Sequence, residues 1–210
     1  MNRKACALAI AAAGMIASAV PSHAYRMIQN TSTGRVSAGA AVSCSNSGGF
    51  THWNIRSINW YLNTANQGSG KSTALSSAMA SWTNVGSANH VLTYAGTTTS
   101  GWSTDGRNTL LWASGNGCTG SCLAITALVL QSGQVIVESD ISFNNNVTWT
   151  TTGAQYDTEA VAAHELGHSL GIHHSDVSTT ATMYAFYFGS AGRSLASDDN
   201  AALQCSESRY

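Results

Sequence analysis

Charge is scarce in this chain of 210 residues: nine Lys and Arg and ten Asp and Glu make up 9% of it. The basic residues form no cluster that could neutralise a run of phosphates, which excludes nucleic acid as a partner. Beyond residue 24 no stretch is apolar enough to cross a bilayer. No internal repeat and no linker marks off a second folded unit. Residues 51–210 are therefore expected to form one domain, large enough to enclose a core, and to act as a monomer. With so few charges, the surface must be covered by Ser, Thr, Asn and Gly. That composition suits extracellular strands and loops but names no ligand.

The one proline, Pro21, stands in an N-terminal segment that reads as an export signal. Asn2-Arg3-Lys4 opens it, an almost unbroken apolar run follows from Ala5 to Val20, and Pro21-Ser22-His23-Ala24 ends on a small residue. Residues 1–24 are expected to be cleaved, leaving a secreted chain with no membrane attachment. The run is short and Ala-rich for a membrane anchor. Residues 25–50, rich in Gly, Ser and Ala without a clear period, read as a loose leader or short pro-segment.

Cys6 leaves with the signal, and four cysteines remain. An even number in an exported chain points to disulfides. Cys118 and Cys122 enclose Thr-Gly-Ser, a turn that lets the sulfurs meet, and zinc binding there would lack a second pair of thiols. Cys44 and Cys205 would tie the N-terminal segment to the C-terminal helix. The alternative for Cys44 is a thiolate that plugs a metal site.

The rest of the chain alternates between strand-like and helix-like patterns. Strands are expected at 53–62, 91–95, 108–113, 123–130 and 135–143, the last two paired across Gln131-Ser132-Gly133. A helix capped by Ser72 or Thr73 runs to about Val85, with Leu75, Met79 and Trp82 along one stripe. Asp157 caps a second helix, and Ser197-Asp198-Asp199 begins a third. The tryptophans read as core residues. The fold class is α+β.

HELGHSLGIHH at residues 164–174 holds four of the seven histidines. Residues i and i+4 of a helix share one face, about 6 Å apart along the axis, so His164 and His168 present their imidazoles side by side. Glu165 lies roughly 100° further round. It is poorly placed as a ligand, but able to take a proton from water at the metal. A catalytic zinc needs a third protein ligand, from His173, His174, Asp176 or Glu207. Glu207 stands near the chain end in a poor helical context. If Gly171 turns left-handed and ends the helix, His174 comes within reach and His173 points away. The residues then spell H-E-x-x-H-x-x-G-x-x-H, a match that arises by chance on the order of 10⁻⁵ per chain of this composition.

This stretch, followed by Ala-Thr-Met-Tyr at 181–184, resembles the metzincin zinc endopeptidases, and among them the matrixins. SDISFN at 139–144, DTEAVAAHELGH at 157–168 and LASDDNAALQ at 195–204 extend the resemblance. It implies a mixed, twisted five-stranded sheet with three helices and a zinc cleft between two subdomains. It also implies one catalytic Zn²⁺ on His164, His168 and His174, with Glu165 as general base in hydrolysis of internal peptide bonds. Met183 and Tyr184 would form the methionine turn beneath the metal. The edge strand starting at Leu123 and Ala124 would pair with extended protein or peptide substrate, and residues 185–193 would wall the specificity pocket. His173 stands where matrixins usually have aspartate, and Ala185 where they have proline. No histidine falls between Leu110 and Asp140 to hold the family's second zinc, and no PRCGxPD-like inhibitory segment is present. Asp140 and the asparagines after it offer oxygens for Ca²⁺. Two other readings are a zinc-stabilised binding protein without turnover and a zinc amidase acting on cell-wall material. The first leaves the carboxylate of Glu165 without a use, because a structural zinc closes its fourth position.

Overall fold

Ile58, Trp60 and Leu62 take every second position of a strand, and all three are buried while Ser57 and Asn59 face solvent. That alternation fixes which face of the sheet meets the core. The computed structural model describes residues 25–86, 88–176 and 178–208, so the expected signal at 1–24 lies outside the described residues. The elements run β1 (Met27–Gln29), β2 (Gly34–Val36), β3 (Ala40–Val42), β4 (His52–Trp53), β5 (Ser57–Asn63), α1 (Ser72–Thr83), β6 (Val91–Thr98) and β7 (Asn108–Ala113). After these come β8 (Ala124–Gln131), β9 (Val135–Asn144), β10 (Trp149–Thr150), β11 (Tyr156–Asp157), α2 (Thr158–Ser169) and α3 (Ser197–Glu207).

The main sheet has the order β2-β8-β9-β7-β5-β6, with β4 paired to the start of β9, making seven strands. The five long ones are those expected from the sequence; β2 and β4 are short additions. Only β8 runs against the other strands: the β2–β8 and β8–β9 pairs are antiparallel and every other pair is parallel. Helices α1 and α2 pack together on one face. Leu75, Ala78, Met79 and Trp82 of α1 enter the core there. The first strand expected at 53–62 is split by residues 54–56, and α1 starts from Lys71 without a side-chain cap in place of the expected Ser72 or Thr73. Among the described residues no helix is long and apolar enough to cross a membrane.

Residues 25–50 are not loose. β1 and β3 form an antiparallel pair with Gln29 opposite Ala40, and Met27, Ile28 and Phe50 are buried in the main core. Short apolar stretches separated by Gly and Ser carry no period long enough to read, so the sequence concealed this order. Both expected disulfides are formed, Cys44–Cys205 and Cys118–Cys122. Cys44 is therefore no metal plug: its sulfur joins β3's end to α3.

Candidate metal centre

The stretch HELGHSLGIHH folds as its residues dictate. Asp157 caps α2 by accepting from the Ala160 N–H at 3.0 Å, and Arg193 holds that carboxylate at 2.6 Å. Two indoles pin the helix: Trp82 Nε1 donates to the Ala163 carbonyl and Trp53 Nε1 to the Ser169 carbonyl, both at 2.8 Å. Gly171 stands at φ +83°, and the Ile172 and Gly171 N–H groups close back onto the Gly167 and His168 carbonyls. This double closure is a Schellman end. A Cβ at Gly171 would lie 2.2 Å from the Thr51 carbonyl oxygen, so only glycine fits.

The turn brings His174 back to His164 and His168, whose ligand atoms lie within 4.8 Å of one another, all buried. His164 Nδ1 faces the Thr182 carbonyl at 2.7 Å and His168 Nδ1 faces the Ile172 carbonyl at 2.8 Å. These carbonyls accept only from a protonated Nδ1, which leaves Nε2 of both rings as a lone pair. His164 Nε2 is buried without a hydrogen-bond partner, and His168 Nε2 stands 3.2 Å from His174 Nε2. Two imidazole nitrogens at about 2.0–2.1 Å from one tetrahedral zinc would be about 3.3 Å apart. The residues fit the ion. Burial keeps the rings neutral, lowering His164 to about 4 and His174 to about 2, with repulsion from neighbouring imidazoles adding to it.

Glu165 is buried beside this cluster. Burial pushes its carboxyl up to about 8, opposed by the Thr126 hydroxyl, which donates to Oε2 at 2.6 Å. A divalent cation beside it would draw the value back down. Thr126 was not singled out in the sequence. Nothing in LAITALVL distinguishes its hydroxyl from other strand positions; only the packing of β8 on α2 does.

His173 is buried next to His174 but outside the triad. Asp176 is half-exposed and paired with Arg26 at 2.7 Å, and Glu207 accepts from the Asn89 and His90 amides. Neither is a ligand. Met183 is buried beneath α2: a Cβ on Gly167 would lie 2.2 Å from its sulfur, so that glycine admits the methionine. Asp199 fixes the turn by accepting from the Thr182 and Met183 amides at 2.8 and 3.0 Å, and Tyr184 follows with its amide on the Ala181 carbonyl. A pocket beside His164 is lined by Val161, Thr182, Tyr184, Phe186, Tyr187 and Phe188 among others, which places residues of 185–193 along its wall. Leu123 and Ala124 lead into β8, buried by side chain. Asp140 does not offer a calcium site: its carboxylate binds Arg35 at 2.7 Å and the Thr109 amide at 2.9 Å.

A family model described as Matrixin matches residues 52–206. Karilysin from Tannerella forsythia is 44% identical over 63 residues, 30% of this chain and 13% of its own length. Neutrophil collagenase from Homo sapiens is 43% identical over 82 residues, 38% and 17% of the two chains. Interstitial collagenase from Equus caballus is 40% identical over 68 residues, 32% and 14%. The matched stretches thus cover less than a fifth of those relatives.

Proposed function

This chain belongs to the matrixin family, and on that premise we propose that it is an exported zinc endopeptidase acting on protein or peptide substrates. The observation that carries the reading is the convergence of three neutral, buried imidazoles beside a buried carboxyl group that stands outside their cluster. Bound zinc supplies Lewis acidity toward a scissile carbonyl and an attacking water. The chain's own part is to hold and move a proton. Glu165, positioned by Thr126, accepts it at a carboxylate oxygen and returns it to the departing amine. The start of β8 at Leu123 and Ala124 offers backbone groups to an extended peptide, as strand addition does elsewhere. The pocket beside His164 receives a side chain of that peptide. Residues 1–24 direct export, and 51–210 form the catalytic domain. The mature protein should cleave casein or gelatin, lose that activity with a zinc chelator and regain it when zinc is restored. A fully metallated protein that cleaves no peptide library would favour a binding role.

A further inference from the structure

The outer edge of β8 is already partly taken by this chain's own N-terminal segment. β2 lies antiparallel along it, with Gly34, Arg35 and Val36 opposite Leu130, Val129 and Leu128. Ser37 and Ala38 follow, and with Ile28, Thr126, Leu128 and His168 they border one small, mostly apolar pocket. The stretch that continues β2 therefore lies beside His168. Among the described residues no strand pairs with that outer edge over residues 124–127.

Resting on the function proposed above, we propose that β2 is a fixed end-stop that determines specificity. It fills the edge beyond Thr126, so that substrate is held chiefly by residues on the C-terminal side of the cleaved bond. The direction follows from β2 itself, which shows how this edge accepts a strand. A peptide continuing the same line, antiparallel to β8, meets Ala38 with its N-terminal end. With the peptide held at the start of β8, the reacting bond falls opposite Ala124, two residues before Thr126, whose hydroxyl reaches Glu165. The β2 register carried past Val36 puts Ala38 opposite Thr126, so only about one or two residues fit between Ala38 and that bond at the spacing of a strand.

The segment is built in, not a removable plug. The Arg35 guanidinium lies 2.7 Å from Asp140 and 3.6 Å from Glu138, and 4.4 Å over the Trp102 ring. Just upstream, Ile28 N–H donates to the Gly171 carbonyl and His173 N–H to the Arg26 carbonyl, both at 2.8 Å. Stripping these residues away would release the loop that carries His174. The Cys44–Cys205 bond holds the other end of the segment.

The test is a set of quenched-fluorescent peptides sharing one cleavage sequence, lengthened one residue at a time on either side, with the zinc-loaded protein. C-terminal growth should raise kcat/KM by about twofold to tenfold per paired residue until the edge is filled, the range of a net backbone hydrogen bond. N-terminal growth beyond the second residue should change it by less than about twofold. Gains of the larger size from the third to fifth N-terminal residue, or dependence on the N-terminal side alone, would overturn the proposal while leaving peptidase function intact. Cleavage of no peptide overturns both. A second arm replaces residues 30–39 with an Asn-Gly turn, which suits the β1–β3 pair because Gln29 and Ala40 already face each other. Asp140→Asn accompanies it, removing a carboxylate that Arg35 neutralises. The folded variant should gain dependence on N-terminal length; an unchanged length profile would count against the end-stop, and the wild-type series decides the matter if the variant does not fold.

Discussion

At the scale of single residues, burial keeps the imidazoles of the metal-free centre neutral and its one carboxyl protonated. Burial lowers His164, His168 and His174 below the ordinary histidine value of 6.5 and raises Glu165 to about 8. The signs are opposite. As pH falls below about 6.5 the unfolded chain takes up protons that the folded imidazoles refuse, so stability present above that value is lost toward pH 4. For Glu165 the folded state holds the extra proton, so its contribution is present below about 4.5 and is lost as pH rises through 8. Three histidines outweigh one carboxyl on the acid side. The metal-free protein should therefore be most stable near pH 6.5, as urea unfolding at pH 5, 6.5 and 8 would measure. A monotonic rise from pH 5 to 8 would show that Glu165 is ionised in the folded chain. Gly167 acts at the same scale: its missing side chain is the space that Met183 fills beneath α2.

At the scale of elements, the turn after α2 decides whether three histidines become one site. Gly171→Ala combines left-handed backbone strain with a collision against the Thr51 carbonyl. It should cost about 2–5 kcal/mol and weaken zinc binding, as denaturant unfolding and metal titration would show. A variant with wild-type stability and affinity would mean that the turn has room to relax. This element was legible in the sequence because its signals are local: Asp157 at the cap, histidines four apart, and a glycine three before the last ligand. The five long strands were legible for the same reason, through alternation or continuous apolar runs. What escaped was non-local. Residues 25–50 have no period of their own and gain order only by pairing β1 with β3 and β2 with β8. Thr126 has meaning only once β8 lies against α2, and Arg35 only once it meets Asp140 and Glu138. The last contact also explains why Asp140 is no calcium ligand despite its oxygen atoms.

At the scale of the molecule, the Cys44–Cys205 bond joins positions 161 residues apart, whereas Cys118–Cys122 spans four. The long link restricts the unfolded chain far more. Replacing Cys44 and Cys205 by alanine should cost about 2–5 kcal/mol, a drop in Tm of roughly 5–15 °C at this chain length. Thermal melts of the variant read this directly; replacing Cys118 and Cys122 should cost less. A larger drop from the short link would mean that it holds more than its own turn. The architecture places the zinc helix between two indoles and a methionine turn, and lays the N-terminal segment along the sheet edge that leads to it. The histidine cluster and the N-terminal segment are thus parts of one core.

The most direct test of the account compares Glu165→Gln with the wild-type chain for zinc content and peptide turnover together. One zinc per chain is expected in both, held by His164, His168 and His174, with turnover in the variant reduced by roughly 10²–10⁴. Zinc lost with the glutamate would make that residue a ligand, and turnover retained without it would assign the proton transfer elsewhere; either result would contradict the division of labour described for this centre.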